Sequence, residues 1–288
     1  METNQPNNIE YQAPELKEKL ETINPTPDNP PWNNWAAFGV WIASVLFIVV
    51  FPSLVFLPYL AKQHIDFTNQ AAILEFAKTD PTAVLLQIVS VIPAHIFTLL
   101  LAWLVVTRFR KYSFKSMLGW NWGGFNWLHG LAILGGFFVL AAVVGYFVPE
   151  QDNDLLRMLK TSRGAVIAIA FLATFTAPLV EEVVYRGVLY SALQRSFGLA
   201  TGIILTTVFF AAVHVPQYYP SFSTIFLICL LSLVLTLVRV KTGNLLPCVV
   251  LHTIFNGIQS LGLLLQPYFS DNPADLQEKA AALIHFFK

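Results

Sequence analysis

Residues 164–194 read GAVIAIAFLATFTAPLVEEVVYRGVLYSALQ, an apolar run interrupted only by Glu181, Glu182 and Arg186. A bilayer core is spanned by roughly 20 predominantly apolar residues, so this run is long enough to cross one. Six further runs, 36–60, 82–107, 127–148, 200–214, 222–238 and 246–265, contain no Asp, Glu, Lys or Arg at all. Of the 17 basic and 17 acidic residues in the chain, only those three lie inside the apolar runs. Charged residues make up 12% of the 288 and hydrophobic ones 56%, whereas a soluble domain carries roughly a quarter charged residues. The pattern predicts an all-α fold, a polytopic membrane helix bundle of 7 to 8 transmembrane helices.

The balance of charge is zero. It offers no basic excess for nucleic acid, which is therefore excluded as a partner. Cys229 and Cys248 both sit in apolar runs, so neither a disulfide framework nor a thiolate zinc site is expected from them. Residues 1–35 are polar and rich in Pro and Asn, with six acidic and two basic residues, and read as a mobile N-terminal tail. The membrane bundle is expected over 36–270. The segment 271–288 contains Pro273 and then sets Leu276, Ala280, Leu283, Ile284 and Phe287 on one helical face. That predicts an amphipathic C-terminal helix at the interface, or an eighth membrane-associated element. Trp32 and Trp35, and later Trp120, Trp122, Phe125 and Trp127, suit the headgroup boundary. With a cytoplasmic N-terminus, nine Lys and Arg residues fall on the cytoplasmic side and seven on the other, so the positive-inside rule leans that way.

Three ionisable residues in one membrane helix represent on the order of 8–10 kcal/mol of insertion cost before pairing. Glu182 and Arg186 are spaced i, i+4 with the acid first, the better orientation for a helical pair. Glu181 projects about 100° away round the helix, on the face shared with Tyr185, and is left as the unpaired carboxylate. Pro178 cannot donate to the carbonyl of Thr174, so the helix is expected to kink or loosen beside the glutamates. Backbone freed at that depth must face protein or a water-filled cavity. A cavity beside Glu181 is the expectation; a buried clasp between helices is the plainer alternative.

Two other helices offer polar groups. Phe210 and His214 are spaced i, i+4, with Pro216 following to end or bend the helix, and His252 and Asn256 share a face at the same spacing. His95 and His129 are expected to be hydrogen-bonded packing residues. A carboxylate in a low-dielectric cavity is suited to take a proton from water near neutral pH. One histidine can share that water or protonate a leaving amine, and a histidine and an asparagine together can donate to the oxygen of a tetrahedral intermediate. The chemistry implied is hydrolysis of an amide.

The stretch Ala177-Pro178-Leu179-Val180-Glu181-Glu182-Val183-Val184-Tyr185-Arg186-Gly187 resembles the EExxxR motif of the CPBP family of intramembrane proteases. That family includes Ras-converting type II CAAX prenyl endopeptidases and bacterial abortive-infection-like proteins. Phe210 to His214 is similar to its FxxxH motif, His252 to Asn256 to its HxxxN motif, and Thr242-Gly243-Asn244-Leu245-Leu246-Pro247 to the lead-in of the last. Over 164–262, the order and spacing agree. The resemblance implies that Glu181 with His214 activates the hydrolytic water, that His252 and Asn256 stabilise the oxyanion, and that Glu182, Arg186, Tyr185 and Phe210 support the site. It implies a peptide or protein substrate that is lipid-modified or membrane-associated.

Family names often include metalloprotease. Glu181, His214 and His252 would make a three-ligand zinc set with an open fourth position, although no HExxH is present. The expectation is a metal-independent mechanism, with zinc as the alternative. Two other functions compete: a catalytically silent membrane scaffold or immunity protein that binds a peptide through the same cluster, and a proton-coupled transporter. The transporter reading calls for polar broken helices in two related halves, and the polar motifs lie only in the C-terminal half.

Overall fold

The computed structural model describes residues 25–265. Among the described residues there is no β-strand, and seven helical spans are long and apolar enough to cross a membrane. The protein is an all-α, multi-pass membrane bundle. The expected helix over 271–288 and the tail before residue 25 lie outside the described residues.

The helices start where polar side chains cap them. Helix α1 (Asn34–Ala61) is capped by Asn33, whose side chain accepts from the amide of Ala36. The short α2 (Gln70–Thr79) is capped likewise by Asn69. Asp80 caps α3 (Pro81–Val89), with Pro81 in its first turn, a position that needs no N–H. The expected span over 82–107 is broken at Ser90 into α3 and α4 (Val91–Thr107). Pro93 explains the break, because it cannot donate to the carbonyl of Val89. The short α5 (Phe114–Leu118) lies in the following loop, and α6 (Trp127–Phe147) is capped by Asn126. Helix α7 (Asp154–Thr161) carries Asn153 as its cap, and Lys78 reaches Asp154 at 2.9 Å to tie α2 to α7.

The quoted stretch forms one long helical span, α8 (Arg163–Phe197), which contains two π-helical segments, Leu172–Thr176 and Val183–Leu189. It turns directly into α9 (Leu199–Tyr218) through Gly198, whose φ of +85° is open to glycine at little cost. A Cβ on Gly202 would sit 2.9 Å from the Cα of Gln194, so only glycine lets α9 fold back this closely. Helix α10 (Phe222–Thr242) and helix α11 (Leu246–Leu265) complete the bundle.

Helix α9 runs two residues past Pro216 to Tyr218 and ends within a turn of that proline. Helix α10 continues past the charge-free run to Thr242, because Arg239 finds partners inside the protein: its guanidinium meets Asp28 at 2.9 Å and lies 5.5 Å over the ring of Tyr190.

One apolar cluster joins α1, α4, α8 and α9 through residues such as Val40, Val106, Val184 and Phe210. A second joins α6, α10 and α11 around Leu134, Leu235 and Phe255. The glutamates of α8 sit between the two.

The end of the segment read as a mobile tail is instead docked. Pro27 and Asp28 engage Arg239, Gln194 donates to the carbonyl of Asp28, and Arg195 donates to the carbonyls of Pro30 and Trp32. Trp32 is buried, and its indole N–H donates to the carbonyl of Val188 at 3.0 Å. It is a core residue, not an interfacial anchor. Trp35, by contrast, is 84% exposed.

Candidate active site

The loosening expected at Pro178 takes the form of the π segment Leu172–Thr176. There the backbone pairs five residues apart, and the amide of Ala177 donates to the carbonyl of Leu172. The second π segment begins at Val183, directly after the glutamates. Such bulges widen a helix locally and recur at functional sites. Between the two lies a single short α-helical stretch, Ala177–Glu182.

Glu182 and Arg186 are fully buried and meet at 2.8 Å through Oε1 and Nη1. Arg186 commits the rest of its fork to α10. Its Nη2 donates to the carbonyl and hydroxyl oxygens of Ser232, both at 2.8 Å, and its Nε donates to Thr236 Oγ1 at 3.2 Å. The guanidinium also lies 4.6 Å over the ring of Phe210. A planar guanidinium can satisfy such a set at once, which an ammonium cannot. Glu182 Oε1 also accepts from His252 Nδ1 at 2.8 Å, while its Oε2 has no hydrogen-bond partner among the described residues.

Glu181 is the less buried carboxylate, its side chain 23% exposed. His214 Nε2 stands 4.0 Å from Oε1 and His252 Nε2 stands 3.7 Å from Oε2. Each histidine commits its other nitrogen elsewhere. His214 Nδ1 lies 2.7 Å from the carbonyl oxygen of Phe210, an acceptor only, so that nitrogen carries the proton. Both rings thus present Nε2 to one carboxylate, from α9 and from α11.

Phe210 is buried where these groups converge. Its ring lies 5.0 Å from that of Tyr185, 4.7 Å from His214 and 6.1 Å from His252. Tyr185 is buried too, and its hydroxyl accepts from Trp41 Nε1 at 3.2 Å. Asn256 lies one turn from His252, and its side-chain amide donates to the carbonyl of Ala173 at 2.8 Å. Glu181, Glu182, His214 and His252 are therefore directly clustered, while Asn256 is engaged with the backbone of the first π segment.

Several contributors were not singled out from the sequence. Ser232, Thr236 and Arg239 recur at i, i+4, i+7 on an otherwise apolar helix, a polar stripe that does mark a buried face. Trp41 carries no such signal. His95 behaves as the expected packing residue, with Nδ1 2.9 Å from Thr176 Oγ1 in the first π segment. Among the described residues, no group of three His, Cys, Asp or Glu side chains is disposed to hold a metal ion.

Residues 163–258 match the family described as type II CAAX prenyl endopeptidase, Rce1-like. The match covers about a third of the chain and takes in every residue from Glu181 to Asn256 described above. Comparison with curated proteins and with solved structures gives no match.

Proposed function

We propose that this protein is an intramembrane endopeptidase in which Glu181 and His214 activate a water for attack on a peptide carbonyl. The observation that carries the reading is the Glu181 carboxylate flanked by the Nε2 atoms of two histidines, both beyond direct hydrogen-bonding distance and within reach of a bridging water. In this scheme Glu181 takes the proton of the water as its oxygen adds to the carbonyl carbon. His252 donates from Nε2 to the oxyanion, which requires both ring nitrogens protonated because Nδ1 already serves Glu182. Asn256 has a second amide proton beyond the one given to Ala173, and this is assigned to the same oxyanion. Glu181 passes the proton taken from the water to His214 Nε2, and His214 delivers it to the nitrogen of the leaving amine as the C–N bond breaks. Glu182 and Arg186 fix His252 against α10, and Phe210 and Tyr185 exclude water from the far side.

The substrate proposed is a peptide or protein presented at the membrane, with a lipid-modified segment as the first candidate, given the family matched. The N-terminus is assigned to the cytoplasmic side because nine Lys and Arg residues, foremost the cluster from Arg108 to Lys115, then fall on that side against seven on the other, and in a bacterial cell the membrane would be the cell membrane. The scheme uses four protein side chains and routes no step through a metal.

The test is cleavage of quenched fluorescent peptides, prenylated and unprenylated, by the full chain in detergent. Loss of at least about a hundredfold in Glu181→Ala and in His214→Ala is expected, with activity retained in chelator. Equal cleavage by wild type and Glu181→Ala overturns the assignment. Loss on chelation restores zinc on Glu181, His214 and His252.

A further inference from the structure

Between Asp80 and Glu150 the chain has no acidic residue, yet Arg108, Arg110, Lys111 and Lys115 follow one another after α4. At the opposite end of the bundle, cations are neutralised: Lys78 by Asp154, and Arg157 and Lys160 by Asp152. The four after α4 are exposed, and none makes an ion pair among the described residues. Arg108, Phe109 and Arg110 all adopt positive φ, from 44° to 74°. Non-glycine residues do so at a cost, and the result is a turn that leaves Phe109 80% exposed beside the arginines. Arg110 lies 5.7 Å over the ring of Trp103 and Lys111 5.5 Å over that of Tyr112, and an exposed aromatic among such cations is suited to a membrane interface.

Beneath this cluster runs a groove of about 480 Å³ between α4, α5 and α8. Leu100, Trp103, Phe114, Leu179 and Val183 line it, and Lys115 is the one charged group in its wall. Leu100 is 53% exposed, so the groove opens toward the surrounding lipid. Leu179 and Val183 lie one turn apart on α8, on the side turned away from Glu181.

We propose that this groove is a binding site for an anionic phospholipid, one acyl chain lying along Leu100 and Leu179 and the phosphate held by Lys115 with the neighbouring basic residues. The occupant must be apolar along most of its length and anionic at one end. A zwitterionic lipid brings no net charge to four cations that have no ion pair among the described residues, and clusters of this size at the end of a span attract anionic headgroups. The site is separate from the proposed hydrolytic chemistry and does not depend on it.

Native mass spectrometry of the full chain, with phosphatidylglycerol and phosphatidylcholine of matched acyl chains, tests this. Phosphatidylglycerol should be retained about fivefold over phosphatidylcholine, the effect of one lysine near an anionic surface. Lys115→Gln should remove that preference and Leu100→Trp should exclude the lipid, while Lys160→Gln at the opposite end leaves retention unchanged. Both groove positions are exposed, and a thermal melt checks that the variants are folded. Equal retention of the two lipids by wild type, or phosphatidylglycerol retention unaffected by either groove variant, overturns the proposal. A dimer that excludes lipid, with the groove covered by a second copy, overturns it as well.

Discussion

The side-chain amide of Asn256 donates to the carbonyl of Ala173, the carbonyl that Pro178 leaves unpaired. In the π segment Leu172–Thr176 the amide of Ala177 reaches the carbonyl of Leu172, so the next rung would run from residue 178 to Ala173. Proline has no N–H for it, and an amide from α11 takes its place. Asn256→Ala should therefore destabilise the protein by about 1–3 kcal/mol, the cost of a bare buried carbonyl. Pro178→Ala supplies the missing donor, so the double variant should regain most of that loss. Unfolding midpoints in detergent for the four-member cycle measure it. Strictly additive losses would show that Asn256 does not substitute for the absent rung.

Arg186 should resist even a conservative change. Lysine keeps the charge facing Glu182 but cannot span Glu182, Ser232 and Thr236 together. Arg186→Ala, which strands a buried carboxylate, is expected to cost about 3–5 kcal/mol, and Arg186→Lys a smaller but clear part of that. Thermal unfolding of the purified variants reads the difference. A lysine variant as stable as wild type would show that charge alone, without the fork, holds α8 to α10.

The adjacent glutamates should separate into one stability residue and one activity residue. Glu182→Gln removes the carboxylate charge paired with a buried arginine, so its melting point should fall with the loss of the pair. Glu181 is partly exposed and, among the described residues, forms no ion pair with Lys or Arg. Glu181→Gln is expected to keep the wild-type melting point within about 0.5 kcal/mol while cleavage falls by at least about a hundredfold. Similar melting losses in both variants would contradict that division.

The spans and the glutamate cluster were legible because they rest on short-range rules. Twenty apolar residues predict a span, and i, i+4 spacing predicts the Glu182–Arg186 pair. Partners chosen across the bundle were not legible. Asn256 was placed on the face of His252 by spacing, but its bond to Ala173 depends on the π register of another helix, which no local pattern encodes. Trp32 looks the same in sequence as Trp35, and only the packing of α1 against α8 separates a buried ring from an exposed one. The break at Ser90 had a local cause in Pro93, whereas Pro216 is carried inside α9, so a proline alone does not fix where a helix stops.

Acid should loosen α7 only after a delay. Hydrogen bonds from Arg157 and then Lys160 hold the Asp152 carboxyl below the usual carboxylate range. A carboxyl lowered in the folded state stabilises above its unfolded value, and the contribution disappears as pH falls through the lowered folded value. Amide exchange in Asp154–Thr161 should thus stay slow through the ordinary carboxylate range and rise below it. Asp152→Asn should show the faster exchange already at neutral pH. Exchange that tracks an ordinary carboxylate titration would place the control elsewhere.

Trp32 and Trp35 offer the sharpest test of the docked N-terminal segment. The indole of Trp32 is 4% exposed and donates to the carbonyl of Val188, inside the π segment that follows the glutamates. Phenylalanine keeps an aromatic ring there but removes the donor of this buried hydrogen bond. Trp32→Phe is therefore expected to lose about 1–3 kcal/mol. Trp35 is 84% exposed, and Trp35→Phe should stay within about 0.5 kcal/mol of wild type. Because the Trp32 bond ends on α8 two residues beyond Arg186, Trp32→Phe should also speed amide exchange at Val183–Leu189. Equal stability of the two variants would return Trp32 to the boundary role that its sequence position suggests.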